Sequence, residues 1–200
     1  CMARYKRLSG FDVHFLMGND EHSTNVEREA RSRGLDPREY CRSMSAEFQA
    51  AWKALDISYD DFIHTTEERH IRAVRALFER IHENGYIYKG KYEGFYCDSC
   101  EEFIVEKDLV DGLCPRHKQP PKHISEENYF FALSRFRQPL LEFFEKNPEF
   151  VRPQIRFNEV INVIKGGLDD VSISRFGKEW GIPLPIDETH VIYVWFDALT

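Results

Sequence analysis

Four side chains in this sequence are spaced to hold a metal. Cys97-Asp98-Ser99-Cys100 and Cys114-Pro115-Arg116-His117 are two half-sites of x2 spacing, with 13 residues between Cys100 and Cys114. A CxxC turn aims two sulfurs at one point, and the second half-site adds a thiolate and an imidazole. A Cys3His set suits tetrahedral zinc, and with four protein ligands no position stays open for water or substrate, so the zinc is expected to be structural. Disulfides would need an oxidising compartment, and no stretch here reads as a secretory signal peptide. Cys1 and Cys41 fit no such spacing and read as ordinary thiols.

Three other groups could do chemistry, each with a plainer alternative. Gly18-Asn19-Asp20-Glu21-His22 follows an apolar run, and in open α/β sheets ligands bind beyond the carboxyl ends of strands. A carboxylate there could hold a substrate ammonium by charge-assisted hydrogen bonds, but Asp, Glu and Asn are also common turn residues. Trp195-Phe196-Asp197-Ala198 ends a second apolar run, where an indole is either a stacking wall or ordinary core. Arg175, closing Ser172-Ile173-Ser174, could clamp a phosphate or make a surface ion pair.

The elements that must position these groups follow from the pattern. Residues 2–8 read as a helix stopped at Gly10, and Asp12–Met17 as a buried parallel strand. Helices are expected over Asn25–Arg33 and Pro37–Ala54, the second capped by Asp36 with Pro37 at its first position. Thr66–Asn84 carries an apolar stripe of Ile71, Val74, Leu77, Phe78 and Ile81 before Gly85. From Tyr86, tyrosines interspersed with Gly90 and Gly94 suggest short strands leading into a knuckle that ends near Lys122. Helices are then expected over Phe130–Asn147, broken or kinked at Pro139, and over Asn158–Lys165, followed by a final strand His190–Trp195.

The bulk numbers bound the class. Two hundred residues with 42% hydrophobic and 14% aromatic content can bury a sizeable core. No stretch approaches the ~20 apolar residues of a membrane span, so no membrane partner is expected and a cytoplasmic location is. A net charge of −7 argues against nucleic-acid binding through bulk charge, but leaves a local RNA-binding surface open.

In chain order, GNDEHS after DVHFLM, the CxxC…CxxH knuckle, SISR…WGIPLP and YVWFDAL resemble the catalytic core of the methionyl-tRNA synthetases, over essentially the whole chain. SISR…WGIP is shared more widely among class I synthetases, whereas the single knuckle and YVWFDAL point to the methionine enzymes. The resemblance implies an α/β fold: a Rossmann-like parallel sheet over 1–86, interrupted by a connective insert over 87–168 with its zinc knuckle at 97–117, and resumed from 169 to 200. That insert is too short for the editing domain of the valine, isoleucine and leucine enzymes. The implied reaction is ATP-dependent activation of L-methionine to methionyl-adenylate, with Mg2+ accompanying ATP, and transfer to tRNA(Met).

Carried over residue by residue, Asp20 would hold the methionine ammonium, Trp195 and Ala198 would line the amino-acid pocket, and Arg175 would meet ATP phosphates. Leu199 falls beside the pocket, where other members carry Pro, and His22 lies near the site without an assigned role. Cys97, Cys100, Cys114 and His117 match the knuckle, where some relatives use four cysteines. Ser23 stands where many members have Gly, so the turn is expected to differ locally. The His-x-Gly-His and Lys-Met-Ser-Lys-Ser type motifs are expected outside residues 1–200, as is the anticodon-binding domain, and this piece alone is not expected to complete aminoacylation. Two alternatives stand beside this reading: a class I synthetase of other specificity, such as cysteine, with zinc at the substrate thiol, or a non-catalytic zinc-knuckle binding module.

Overall fold

A computed structural model describes residues 1–200. Helix α1 (Met2–Leu8) stops as its glycine signal predicts: Gly10 adopts φ +81° and its N–H donates to the Arg7 carbonyl at 3.0 Å. Strand β1 (Leu16–Asn19) runs parallel to β2 (Asp61–His64), with Leu16 opposite Asp61 and Asn19 opposite His64. The strand thus begins at Leu16 rather than Asp12, because its partner begins only at Asp61. Just before the ladder, the Asp60 carboxylate accepts the Phe15 N–H at 2.7 Å. Gly18 permits this pairing: a Cβ there would stand 2.5 Å from Ile63 Cγ2 and 2.7 Å from the Ile63 carbonyl oxygen.

Helix α2 (Thr24–Ser32) starts at Ser23, whose Oγ accepts the N–H groups of Asn25 and Val26 at 3.1 and 3.2 Å. Ser23 has φ −81°, so this turn needs no glycine and the serine serves as cap. Helix α3 (Pro37–Ala54) has the expected bounds, and Asp36 caps it by accepting the Arg38 N–H at 2.9 Å. Helix α4 (Glu68–Glu83) begins after Thr66, because the Thr66 hydroxyl is taken by Glu21 Oε2 at 2.5 Å rather than by the helix end. Its stripe is buried as the periodicity requires, with Val74 and Phe78 fully enclosed.

One long strand, β3 (Ile87–Cys97), replaces the short strands expected after Tyr86. It pairs antiparallel with β4 (Glu102–Ile104) and with β5 (Lys122–Phe131), and β6 (Val171–Ser172) joins the far side of β5. Phe130 and Phe131 therefore end a strand, opposite Tyr88 and Ile87, instead of starting a helix. Helix α5 (Arg137–Lys146) follows, with Pro139 in its first turn, where N–H groups have no intrahelical acceptor and proline causes neither break nor kink. Helix α6 (Gln154–Gly166) contains the expected Asn158–Lys165.

The chain closes with a three-stranded antiparallel sheet, β7 (Ser174–Phe176), β8 (Pro183–Leu184) and β9 (Asp187–Ile192), in the order β7-β9-β8. The final strand ends at Ile192, not Trp195. The Tyr193 carbonyl accepts the N–H groups of Phe196 and Asp197, and the backbone turns into helix α7 (Val194–Ala198). The fold is mixed α/β, with one parallel pair and two antiparallel sheets. Val74 and Phe78 of α4 pack against Ile87, Ile173, Ile182, Leu184 and Ile192, so this helix carries the core shared by the start of β3 and the closing sheet. No helix is long and apolar enough to cross a membrane.

Candidate active site and metal centre

The knuckle is assembled by the end of β3, the turn into β4, and the loop before β5. The four donor atoms lie within 4.8 Å of one another. Cys100 Sγ is 3.8 Å from Cys114 Sγ, while His117 Nδ1 is 3.9 Å from Cys97 Sγ and 4.0 Å from Cys114 Sγ. A tetrahedron with Zn–S ~2.3 Å and Zn–N ~2.05 Å has edges of ~3.6–3.8 Å, so the donors stand close to ligating positions. Backbone N–H groups, of His117 first and also of Arg116, pull the Cys114 thiol down to about 6, which favours the thiolate a metal needs. Burial and the neighbouring Cys97 and Cys114 push Cys100 up to about 12, a cost that a bound cation would reverse. All five cysteines are free thiols.

The second centre lies at the carboxyl end of the parallel pair. Asp20 follows β1 directly and lines a cavity of about 700 Å³ with Thr65, His70, Ala198 and Leu199. The surrounding protein strips water from the Asp20 carboxyl, and the negative charges of Asp197 and Glu101 add to the effect. Together they push it up to about 6, against the opposing influence of His22.

Two buried carboxylates brace this end. Glu21 accepts from Thr66 Oγ1 and stands 2.7 Å from His64 Nδ1, while its carbonyl accepts the Trp180 indole N–H at 2.7 Å. Asp197 is fully buried, with Oδ2 at 2.7 Å from His22 Nδ1 and Oδ1 at 2.6 Å from His70 Nε2.

Knuckle and cleft are joined through Glu101. Its carboxylate accepts the Asn25 N–H at 3.2 Å, at the start of α2, and its carbonyl accepts the Tyr193 hydroxyl, at the start of α7. Glu101 takes φ +52° to make both contacts, and it is buried.

A family model described as tRNA synthetases class I (M) matches residues 1–122 and 116–200. The chain belongs to that family. It is 49% identical over 199 residues to the methionine–tRNA ligase of Caldanaerobacter subterraneus subsp. tengcongensis, covering 100% of this chain and 31% of that protein. The Thermotoga maritima methionine–tRNA ligase is 46% identical over 202 residues, covering 99% of this chain and 32% of the relative. The chain thus spans about a third of the length of the curated relatives it matches. Mycobacterium tuberculosis methionyl-tRNA synthetase in complex with methionyl-adenylate superposes with a TM-score of 0.93 at 42% identity, covering 99% of this chain and 40% of that one. The apo form of the same enzyme gives 0.80 at 40% identity, with coverages of 99% and 38%.

Within this synthetase fold the expected site residues separate into groups. Asp20, Ala198 and Leu199 share one cavity. Trp195 is 43% exposed and lines a neighbouring apolar cavity of about 440 Å³ with Phe131, Ile173 and Phe196; Leu199 and Thr200 border both. His22 is near Asp20 in sequence but turned toward Asp197, with its ring edge-on to Trp180 at 5.4 Å between centroids. Arg175 is buried elsewhere: Nε and Nη2 donate to Glu126 at 3.2 and 3.3 Å, and the guanidinium lies 4.1 Å from the Tyr96 ring centroid. That pairing ties β7 to the β3–β5 pair.

Glu21, His70, Glu101 and Asp197 carry no role that the sequence pattern by itself predicts. Asp197 stands within YVWFDAL and Glu101 directly after the CxxC, so both were adjacent to recognised motifs, whereas nothing local marks His70. A Ser174–His190–Asp187 arrangement also forms, with Ser174 Oγ at 3.2 Å from His190 Nδ1 and His190 Nε2 at 3.8 Å from Asp187 Oδ2. Ser174 is fully buried and accepts the Tyr129 N–H, so it is structural and offers no nucleophile.

Proposed function

We propose that this chain is the part of a methionine–tRNA ligase that binds L-methionine and ATP, forms methionyl-adenylate, and serves transfer of the methionyl group to tRNA(Met). The observation that carries this reading is the cavity shared by the strand-end Asp20 with Ala198 and Leu199 of the YVWFDAL segment. Asp20 would hold the methionine ammonium and leave the carboxylate free. That carboxylate attacks the α-phosphorus of ATP, an O–P bond forms, and pyrophosphate leaves. The protein's share is then positioning and charge stabilisation rather than covalent catalysis. Trp195 would lend the thioether an aromatic neighbour worth ~0.3–1.5 kcal/mol.

Arg175 is already paired with Glu126, so a contact with ATP phosphates would use N–H groups not given to that carboxylate. We read His22 as holding the cleft through Asp197 rather than as touching methionine. Cys97, Cys100, Cys114 and His117 would hold a structural zinc that ties the loop ends of the insert together. Mg2+ would accompany ATP; no residue here is assigned to it. The knuckle donors line neither the cavity that Asp20 shares with Ala198 nor the one it shares with Trp52, which favours methionine over a cysteine enzyme with zinc on the substrate thiol. We keep the division into 1–86, 87–168 and 169–200 as first core part, insert and second core part, and expect the whole protein to work in the cytoplasm.

ATP–pyrophosphate exchange by the full-length protein, tested with each of the twenty amino acids, decides the reading. Exchange with methionine alone is expected. Exchange with another amino acid would overturn the specificity, and none at all would favour a zinc-binding module without activity.

A further inference from the structure

The Asp197 carboxylate is the least exposed charged group beside the cleft: side-chain exposures are 1% for Asp197, 5% for His22 and 11% for His70. An isolated carboxylate at that depth would be costly, and it is tolerated here because both oxygens are occupied. The partners come from three separate parts of the chain. His22 sits in the turn two residues past Asp20, His70 in the first turn of α4, and Asp197 on α7 between Trp195 and Ala198. Helix α7 has only five residues, too few to be stable by its own hydrogen bonds. Its position must come from tertiary contacts: Val194 is buried, Phe196 packs on the core edge-on to Phe78, and the one charged side chain of the helix, Asp197, is held at both oxygens. His70 also lines the cavity that contains Asp20 and Ala198.

We propose that His70 and Asp197 are positioning residues for the amino-acid site: Asp197, clamped between His22 and His70, fixes α7 against the turn that carries Asp20. The clamp sets the distance between the group that would take the ammonium and the helix that would line the side-chain pocket. This rests on the methionine reading for its substrate, but the clamp itself is a statement about α7. His70 brings the third segment, since α4 is packed into the core by Val74 and Phe78 and offers a rigid base. Asp197 also acts on Asp20 directly, being the largest charge influence that raises its carboxyl pKa.

The test uses the full-length protein with His70→Ala, His70→Gln and Asp197→Asn. Glutamine can still donate one N–H toward Asp197, and asparagine keeps the shape of residue 197 but cannot accept from both imidazoles. Hydrogen–deuterium exchange of the residue 193–198 amides is expected to quicken about tenfold in His70→Ala, equivalent to ~1.4 kcal/mol of local opening. The KM for methionine should rise about tenfold with the KM for ATP and kcat little changed, and His70→Gln should recover most of both effects, as expected for a hydrogen bond to a charged group. If His70→Ala melts globally, Asp197→Asn carries the same exchange expectation with packing conserved. Unchanged α7 exchange, or faster exchange with an unaltered methionine KM, overturns the proposal. So does an equal rise of both KM values without rescue by glutamine. A wild-type protein without methionine-dependent exchange would overturn the substrate reading instead, and the α7 amides would then decide the clamp alone.

Discussion

The knuckle and the cleft are both built on polar side chains at the ends of strands, yet they are constructed in opposite ways. In the knuckle all four donors lie between Cys97 and His117, and the turns that aim them are local. In the cleft the interacting groups are Asp20, His22, His70 and Asp197, spread across nearly the whole chain. A local site can be specified by spacing alone, because a few backbone turns fix its geometry. A dispersed site exists only after α4, the parallel pair and the closing sheet have packed. The difference predicts that substitutions in the knuckle cost metal binding, and those in the cleft cost affinity while the fold survives.

The largest effect should come from the knuckle. Replacing Cys97 and Cys114 together by alanine should abolish stoichiometric zinc, read by elemental analysis. Structural zinc is worth ~10–16 kcal/mol in small zinc-finger peptides, and half of the donor set would be gone. Helix content by circular dichroism should be largely kept, since α4 and its core lie outside the knuckle. Full zinc retention would mean that these cysteines do not hold the metal.

Next in size is Asp20→Ala. Loss of the proposed charge-assisted hydrogen bond to the ammonium, ~1.5–3 kcal/mol, should lower kcat/KM for methionine in the full-length protein roughly 10- to 150-fold. Zinc content and melting temperature should stay near wild type. A matching collapse of stability would mean that Asp20 is a structural turn residue.

The pH dependence sharpens the same point. With its carboxyl at about 6, Asp20 is increasingly neutral below that pH and cannot pair with an ammonium, so kcat/KM for methionine should fall through an acid limb near 6. The native state then holds a proton on Asp20 that the unfolded chain, at its ordinary 3.8, has released. The contribution of this group to stability therefore declines as pH rises from about 4 to 6 and stays unfavourable above. Asp20→Asn should accordingly melt at or above the wild-type temperature at pH 7 while binding methionine poorly. An acid limb unchanged in Asp20→Asn would assign it to another group.

The smallest effect is expected of Trp195→Leu in the full-length protein, which keeps an apolar side chain and removes the aromatic ring proposed to neighbour the thioether. A two- to tenfold rise in the KM for methionine corresponds to the ~0.3–1.5 kcal/mol expected. No change would mean that the cavity lined by Trp195 is separate from the methionine pocket, and would leave Asp20, Ala198 and Leu199 as the site.

Local signals in this chain were reliable where the physics is local. The Asp36 cap with Pro37 fixes α3, Gly10 stops α1, and the 3.6-residue stripe of α4 is buried where its period requires. The same is true of the metal spacing, and of Asp20 as a strand-end carboxylate. The elements missed or misread are those decided by distant partners. Four-residue β2 has no periodicity of its own and exists by pairing with β1. Phe130 and Phe131 resemble the start of a helix until β3 supplies their ladder. Tyr193–Trp195 continues an apolar strand in sequence, but the chain turns into α7 from Val194, where Asp197 meets two histidines. The sequence alone therefore determined which residue types could do chemistry and where the knuckle closes, because turns and caps act over a few residues. Only the tertiary structure decided that Arg175 is paired with Glu126, and that Trp195 faces a different cavity from Asp20. It also decided that His22, His70 and Asp197 form one unit, because a buried carboxylate is stable only where packing brings its donors to it.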